Sequence, residues 1–282
     1  MIRNEDLFLI DKFIEESLLE DRAFNDITTR STVSPGKKSS AFVIAKQDFV
    51  MSGIIIFERC FKKLDSNMTI FSPFRDGAFI SRGTKLITIN GFTASILSAE
   101  RVALNLLSHL SGIATYTRKM ADVLKGSGIK LLDTRKTLPG LRIFQKWAVK
   151  HGGGYNHRYN LESGILIKEN HIKAVGSISR TISKVREAVP PAYTIEVEIG
   201  SLNEAKEAIE SGADIILIDN LSGNELQKVV DFAHGKVLIE VSGGIDISNI
   251  GEYRDLKIDF LSSSSLVMKA TAVDISLLLD NP

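Results

Sequence analysis

Residues 194–220, TIEVEIGSLNEAKEAIESGADIILIDN, decide the fold class of this chain. An apolar, β-branched run from Thr194 is followed by a helical pattern over Asn203–Ser211 and then by a second β-rich run from Ile215. A strand, a helix and a strand with a repeat of about 22 residues form a βαβ unit, whose two strands are parallel. This stretch therefore predicts a parallel sheet covered by helices.

The same alternation extends over the whole chain after Gly128. The strand-like runs begin at Ile129, Ile165, Thr194, Ile215, Val237 and Ile258, and the stretches between them predict helices over Leu141–Lys150, Ile178–Val189, Asn203–Ser211, Asn224–Ala233 and Ile247–Arg254. A complete eight-unit barrel takes roughly 250 residues, and this region has room for about six or seven units. We expect a small or incomplete α/β barrel, with an open doubly wound sheet as the alternative.

The first hundred residues have a different pattern. Apolar residues at helical spacing predict a helix over Leu7–Leu19, whereas Ala41–Ala45 and Lys85–Asn90 alternate as strands do. A long helix is expected over Ser98–Leu124, with an interruption near Ser111-Gly112. These elements predict an α+β domain with an antiparallel sheet. We place this domain at residues 1–110, with the tail 270–282 packing back on it, and the barrel domain at 111–269.

Composition narrows the class of protein. The chain has 282 residues, of which 44% are hydrophobic and 24% charged, as in ordinary globular proteins. A net charge of +1 argues against a nucleic-acid binder. Met1 to Glu20 does not read as a signal peptide, and no segment has the roughly 20 apolar residues that span a bilayer. The single cysteine, Cys60, lies in an apolar-periodic stretch, so we expect a buried thiol and a cytoplasmic protein.

Polar residues follow or end every strand-like run of the predicted barrel. They are Asp133–Thr137, Lys168–His171, Glu196 with Glu198, Asp219-Asn220, Ser242–Gly244 and Ser262–Ser265. Ligand sites of parallel α/β proteins lie at the carboxyl ends of the strands. The pattern predicts one site that these six strand ends share.

The charges of these strand ends indicate the chemistry of the site. Residues 130–170 carry eight lysines and arginines against three acids. Arginine forks suit carboxylates and phosphates, so the cluster predicts a small ligand with several negative charges. Glu198 and Asp219 end consecutive strands, where paired carboxylates act as acid and base, accept sugar hydroxyls or bind Mg²⁺. Glu196 ranks second to Glu198 because it lies further from the strand end.

The glycine- and serine-rich turns fit phosphate binding. Ser242-Gly243-Gly244 and Ser262–Ser265 offer backbone N–H groups just before predicted helices. His151 and His157 are six residues apart across Gly152–Gly154, which is not a metal spacing on a helix, so a zinc site is not favoured. An anion cradle beside a carboxylate pair favours phosphoryl or phosphoribosyl chemistry.

Long, ordered motifs resemble one family over nearly the whole chain. They are DTRKTLPGLR at 133–142, GGGYNHR at 152–158, LIKENH at 166–171, ERVALN at 100–105, SGIAT at 111–115, EVE at 196–198, LIDN at 217–220 and EVSGGI at 240–245. These are similar to quinolinate phosphoribosyltransferases. A related molybdenum-transport-associated family shares the Thr-Arg-Lys and Gly-Gly-Gly pieces but not the Asn-His-Arg and Ile-Lys-Glu-Asn-His forms, so it ranks second.

The resemblance implies a type II phosphoribosyltransferase fold, an N-terminal α/β sandwich with an incomplete α/β barrel, in a homodimer. The implied products are nicotinate mononucleotide, pyrophosphate and CO₂, a step of NAD biosynthesis. The resemblance implies that Lys136, Lys168, Glu198 and Asp219 are catalytic. It further implies that quinolinate is held by Arg101 of the other subunit together with Thr134, Arg135, Lys136, His157, Arg158 and Lys168.

The second substrate, phosphoribosyl pyrophosphate, is expected at the remaining motifs. Glu198 and Asp219 would hold its ribose hydroxyls and Mg²⁺, and its 5′-phosphate would lie at Ser242, Gly243, Gly244, Ser263, Ser264 and Ser265. Ser264 replaces a glycine that the family usually carries. Two alternatives remain open: a phosphoribosyltransferase acting on another pyridine acid, and a barrel that binds ligand without turnover.

Overall fold

The computed structural model describes residues 4–280, with side chains from Asp6 onward, and its contacts divide the chain into two units. Unit 1 comprises the residues up to Arg118, Leu138–Gly153 and the residues from Lys269 onward, and unit 2 comprises Lys119–Thr137 and Gly154–Met268. The contacts thus assign 111–118 and 138–153 differently from the sequence-based division at residue 110. Residues 1–3 and 281–282 of the predicted domains lie outside the described residues.

Unit 1 contains helices and an antiparallel sheet. Its helices are α1 (Asn4–Glu20), α2 (Ile27–Thr32), α3 (Ile54–Leu64), most of α4 (Thr93–Val123) and α5 (Arg142–His151), with a 3-10 turn at Ala23–Asn25. Its strands are β1 (Lys38–Ala45), β2 (Phe49–Val50), β3 (Thr69–Phe71), β4 (Phe79–Ile80), β5 (Lys85–Phe92) and the late strand β12 (Ile275–Leu279).

The sheet of unit 1 has the order β12-β1-β5-β3, and its neighbours are antiparallel. On β1 the buried residues Ala41, Val43 and Ala45 alternate with more exposed ones, so one face of the strand packs inward. The helix α1 packs against α3, and the buried Cys60 thiol lies on the apolar face of α3. Burial raises the pKa of Cys60 to about 12, which leaves the thiol protonated and unreactive.

The predicted interruption of the long helix is wrong. Helix α4 runs through Ser111 and Gly112 without a break. A Cβ on Gly112 would lie 2.1 Å from the Thr271 carbonyl oxygen, and the Ser111 hydroxyl accepts the Ser52 N–H at 3.0 Å. The Ser-Gly pair therefore serves close packing and a buried hydrogen bond inside unit 1.

Unit 2 alternates strands with helices. Its strands are β6 (Lys130–Leu132), β7 (Ile165–Ile167), β8 (Ile195–Ile199), β9 (Ile215–Asp219), β10 (Leu238–Ser242) and β11 (Phe260–Ser262). Its helices are α6 (Glu169–Val175), α7 (Ile178–Ala188), α8 (Leu202–Glu210), α9 (Gly223–Ala233) and α10 (Ser265–Met268), with a 3-10 turn at Ile250–Tyr253. The predicted helix over Ile247–Arg254 is thus only this turn, and α6 was not predicted.

The order of the parallel sheet identifies it as a barrel with one gap. The order is β6-β11-β10-β9-β8-β7, so each strand from β7 to β11 pairs with the next along the chain and the last pairs with the first. A doubly wound sheet instead reverses its strand order at a switch point. Among the described residues no ladder joins β6 to β7, and this confirms the incomplete barrel. At that open edge Tyr155 forms one parallel bridge with Leu132.

The two faces of the barrel strands carry side chains with different roles, because successive residues point to opposite faces. On β8, Val197 and Ile199 are fully or almost fully buried, and helix α8 contacts β8 and β9. Glu196 and Glu198 alternate with these residues and belong to the other face of the strand. Parallel strands are normally apolar on both faces, so acids within them indicate a site. None of the described helices combines the length and apolar character needed to cross a bilayer.

Candidate active site

A cavity of about 420 Å³ lies at the carboxyl ends of the parallel strands of unit 2. Every residue that lines it belongs to this unit. The lining residues are Thr134, Arg135, Lys136, His157, Arg158, Leu166, Lys168, Glu198, Leu217, Asp219, Glu240, Ser242 and Ser262. The strand ends that the sequence singled out therefore open onto one space.

Nine residues that the sequence predicts for the site line this cavity. They are Thr134, Arg135, Lys136, His157, Arg158, Lys168, Glu198, Asp219 and Ser242. Gly243 and Gly244 directly follow the last of them, and Ser263–Ser265 follow the lining residue Ser262. Arg101 lies in unit 1, on α4, where its side chain is 65% exposed and 3.9 Å from the Glu100 carboxylate.

The basic side of the cavity is built on the loops that follow β6. The Thr134 hydroxyl accepts the Lys136 N–H at 3.0 Å, which fixes the turn that carries Arg135. The Arg135 Nε is buried and has no hydrogen-bond partner among the described residues. Arg158 donates from Nη1 to the Gly164 carbonyl at 3.0 Å. Burial and the neighbouring Arg135 charge lower the pKa of Arg158, so this pair is poised to gain from an anion.

A buried carboxylate holds the loop that carries His157. Asp133, at the end of β6, is fully buried and accepts the His157 N–H at 2.8 Å and the Asn156 side-chain amide at 2.6 Å. The Arg158 N–H in turn donates to His157 Nδ1 at 2.7 Å. This contact makes Nδ1 an acceptor and places the imidazole proton on Nε2. The Asn-His-Arg motif is therefore a preformed turn bound to the strand.

The acidic side of the cavity lies on β8 and β9. Glu198 forms an ion pair with Lys168, which follows β7. Asp219 ends β9, and its carboxylate accepts the Asn220 side-chain amide at 2.7 Å. Ser242 of β10 pairs in register with Asp219. Carboxylate oxygens at adjacent strand ends are the donor type that Mg²⁺ prefers.

Two buried glutamates lie deeper in the barrel around His157. The Nε2 of His157 is 3.2 Å from Glu196 Oε2 and 3.6 Å from Glu240 Oε2. Burial and the Glu196 charge raise the pKa of Glu240 to about 7, although His157 and the Ser262 hydroxyl act in the opposite direction. The sequence analysis did not assign a role to Glu240. Its position in the sequence could have identified it as a site residue, because Glu240 lies two residues before Ser242 and therefore on the same face of β10.

The two small-residue turns differ in how their polar groups are used. The Ser263 hydroxyl donates to the Ile245 carbonyl and lies 2.7 Å from the Ser265 hydroxyl, and both serines are buried. Ser264 is half-buried and does not have a positive φ, so a serine fits there without backbone strain. Gly243 does need to be glycine, because its φ is +105° and a Cβ would lie 2.3 Å from the Asn220 side-chain oxygen.

Two family models cover most of the chain. The model described as the N-terminal domain of quinolinate phosphoribosyl transferase matches residues 26–111, and the C-terminal domain model of the same family matches residues 113–278. The chain belongs to the quinolinate phosphoribosyl transferase family. The resemblance drawn from the sequence motifs is thereby confirmed.

Relatives in this family are similar over nearly their full length. A probable nicotinate-nucleotide pyrophosphorylase (carboxylating) of Bacillus subtilis is 38% identical over 267 residues, which are 94% of this chain and 92% of the relative. The Mycobacterium leprae enzyme of that name is 36% identical over 272 residues, with coverage of 94% and 95%. The crystal structure of NadC from Streptococcus pyogenes matches with a TM-score of 0.92 and 40% identity, covering 97% of this chain and 98% of that one.

Proposed function

We propose that the chain transfers the phosphoribosyl group of phosphoribosyl pyrophosphate to quinolinate with loss of CO₂, yielding nicotinate mononucleotide and pyrophosphate for NAD biosynthesis. The observation that carries the proposal is the division of one cavity into a basic side and an acidic side. A pyridine dicarboxylate fits the first side, and a ribose with its phosphates and metal fits the second. The similarity to enzymes with this name supports the assignment.

Quinolinate would lie against the cations that follow β6 and β7. The buried, unpartnered Arg135 Nε and the desolvated Arg158 gain most from a carboxylate, because each lacks full compensation in the described residues. Lys136 and Lys168 add charge at the cavity edge, and their charge also favours loss of the 2-carboxylate once the ring nitrogen is quaternary. Thr134 and His157 complete the set of expected contacts.

Phosphoribosyl pyrophosphate would lie against the acidic side. Glu198 and Asp219 accept ribose hydroxyls, and the two carboxylates stabilise positive charge that develops at C1 of the ribose. The same oxygens fit Mg²⁺, with phosphate oxygens as further ligands, although Glu198 also holds Lys168. When bound, Mg²⁺ would neutralise charge on the departing pyrophosphate. The turns Ser242–Gly244 and Ser263–Ser265 would take the 5′-phosphate, the second through the Ser264 N–H, because the Ser263 and Ser265 N–H groups already donate to the Leu132 carbonyl and the Ser263 hydroxyl.

A paired product assay tests the proposal. The purified protein is mixed with quinolinate labelled at the 2-carboxyl carbon, phosphoribosyl pyrophosphate and Mg²⁺, and CO₂ and pyrophosphate are measured together. We expect both products in equal amounts, and neither when quinolinate is replaced by nicotinate. Quinolinate binding by calorimetry without either product would instead make the barrel a ligand-binding protein. Turnover of a different pyridine acid alone would correct the substrate.

We further propose a cytoplasmic homodimer in which the partner subunit's Arg101 contacts quinolinate. The exposure of Arg101 on α4 is consistent with a contact outside its own unit. Arg101→Ala and Lys168→Ala homodimers should then both be nearly inactive. In mixed dimers one site keeps both residues, so random subunit exchange restores roughly a quarter of the wild-type sites. Activity that stays at the level of the separate variants after verified exchange would show that Arg101 acts in its own chain or not at all.

A further inference from the structure

The deep end of the cavity holds an acid that the proposed binding scheme does not use. Glu240 lines the cavity, yet its side chain is only 2% exposed. Its Oε2 faces His157 Nε2 at 3.6 Å and it accepts a hydrogen bond from the Ser262 hydroxyl. Its Oε1 is buried without a hydrogen-bond partner among the described residues. A carboxylate in this position is poorly solvated.

The neighbours of Glu240 make a second negative charge there costly. Glu196, from β8, is also buried and faces the same imidazole nitrogen at 3.2 Å. One imidazole cannot compensate two buried carboxylates, because Nδ1 accepts a hydrogen bond and Nε2 carries the single N–H of the ring. A proton on Glu240 removes one of the two buried negative charges. Both the packing and the raised pKa of Glu240 therefore describe a carboxyl group that is protonated over part of the neutral range.

Glu196, Glu240 and His157 also have the composition of a metal site, but the imidazole is oriented against one. Their ligand atoms lie within 4.8 Å of one another. A histidine that binds a metal through Nε2 normally donates its Nδ1 proton to an acceptor. Here Nδ1 faces a donor instead, the Arg158 N–H at 2.7 Å. The Nε2 proton thus points at the carboxylates, and the cluster is built to hold protons.

The proposed reaction needs a proton inside the cavity that Glu240 lines. When the bond between C2 and the carboxyl carbon of the quinolinate nucleotide breaks, CO₂ leaves and the electron pair remains on C2, next to the quaternary ring nitrogen. CO₂ that is still in the cavity can recombine with this carbanion, so its net release requires the carbon to take up one proton, which gives nicotinate mononucleotide. General acids that transfer such a proton within a site contribute typically about 10²–10⁴-fold to the rate.

We propose that Glu240 holds the proton that replaces the carboxyl group lost as CO₂, an inference that rests on the proposed function. Transfer leaves Glu240 as a carboxylate beside His157, and solvent reprotonates it after product release. The other charged groups that line the cavity have different tasks. Arg135, Lys136 and Arg158 must keep their charge to hold carboxylates, Lys168 is paired with Glu198, and Asp219 is placed with Glu198 at the sugar.

The Glu240→Gln variant tests this assignment, because an amide keeps the shape but transfers no proton to carbon. In a single turnover we expect pyrophosphate release to stay within about threefold of wild type while CO₂ release falls roughly a hundredfold. The nucleotide that retains both carboxyl groups then accumulates. Glu225→Gln, on the exposed face of α9, is the matched control and should keep the two products equal. Equal amounts of the two products in Glu240→Gln would overturn the proposal.

Two further variants shift the proton affinity of Glu240 in opposite directions. In the wild type, CO₂ release relative to pyrophosphate release should fall as the pH rises through about 7, since the protonated form is required. Removing the Glu196 charge in Glu196→Gln lowers the pKa of Glu240 and moves this fall to lower pH. Removing the hydroxyl in Ser262→Ala raises the pKa of Glu240 and moves it to higher pH.

The pH shifts in Glu196→Gln and Ser262→Ala test the proposal even if the Glu240→Gln variant does not fold. Thermal unfolding and quinolinate binding show whether that variant folds. Shifts in the same direction, or none, would overturn the proposal. Wild-type protein that releases neither product from the two substrates would reject the proposed function, and the inference with it. Wild-type protein that releases both, beside a Glu240→Gln variant that also releases both equally, would reject the inference alone.

Discussion

The two sides of the cavity occupy equivalent positions in the barrel and carry opposite charges. After β6 and β7 the chain supplies Arg135, Arg158 and Lys168, whereas Glu198 and Asp219 lie in the last two residues of β8 and β9. Since every strand presents its carboxyl end to the same cavity, the fold does not determine which side is basic and which is acidic. The residues at each strand end determine it. The difference favours the proposed pair of ligands, one of them anionic and the other rich in hydroxyls or metal-bound oxygens.

The largest expected loss of quinolinate affinity follows from removing a positively charged side chain on the basic side of the cavity. We expect Arg135→Ala to weaken quinolinate binding by about 2–5 kcal/mol, because it strips a desolvated partner from a carboxylate. Lys168→Ala should lie at the lower end of that range, since its side chain is 46% exposed and already paired with Glu198. Isothermal titration with quinolinate measures both values.

Lys173→Ala is the matched control for these two variants. Lys173 lies on α6, one turn beyond Lys168, and is paired with Glu169 in solvent. We expect its quinolinate affinity to equal that of the wild type. Wild-type affinity in both Arg135→Ala and Lys168→Ala would show that the basic side does not hold the pyridine acid.

A change on the acidic side should leave quinolinate binding intact. In Asp219→Asn we expect turnover to fall roughly a hundredfold, because one group that stabilises transition-state charge is lost. The affinity for phosphoribosyl pyrophosphate with Mg²⁺ should fall too. Steady-state kinetics and titration with each substrate separate these effects, and Asp231→Asn on the exposed face of α9 serves as the control. Loss of quinolinate binding alone would mean that the two sides are wrongly assigned.

Most of the basic and acidic strand ends could be predicted from the sequence, because Arg135, Lys168 and Asp219 lie at or just after the end of an apolar run. The role of Glu240 and its contacts with His157 and Glu196 could not be predicted in this way. Glu240 lies inside the run Leu238–Ser242, and alternation alone does not tell which face of a strand points into a barrel. Its importance depends on Glu196 and His157, which come from two other parts of the chain. Strand order and register bring these three residues together, and neither can be read from the separate sequence segments.

Two helix predictions failed in opposite directions. Ser111-Gly112 has the composition of a helix interruption, yet α4 continues because the glycine admits the Thr271 backbone. The stretch Ile247–Arg254 has apolar spacing typical of a helix but forms only a short 3-10 turn before β11. The contact that decides the first segment is distant in sequence, so propensity alone misplaces the break. In the second segment the Asp246 carboxylate accepts the Ser248 N–H at 2.8 Å and the Asn249 side chain accepts the Asp246 N–H at 2.9 Å, and these local contacts favour a turn.

The serine turn after β11 should show the smallest effect. Ser264 replaces the glycine expected from the family resemblance, but its φ is not positive, so the serine imposes no strain there. The hydroxyls of Ser263 and Ser265 are used in contacts inside unit 2, and so are their N–H groups, which donate to the Leu132 carbonyl and the Ser263 hydroxyl. The Ser264 N–H is therefore the amide of this turn that we expect to donate to a phosphate. Ser264→Gly removes a hydroxyl but no amide. We therefore expect the affinity for phosphoribosyl pyrophosphate to change less than about tenfold, or 1.4 kcal/mol, by titration. A larger gain in affinity would reveal strain at Ser264, and a larger loss would make its hydroxyl a principal phosphate donor.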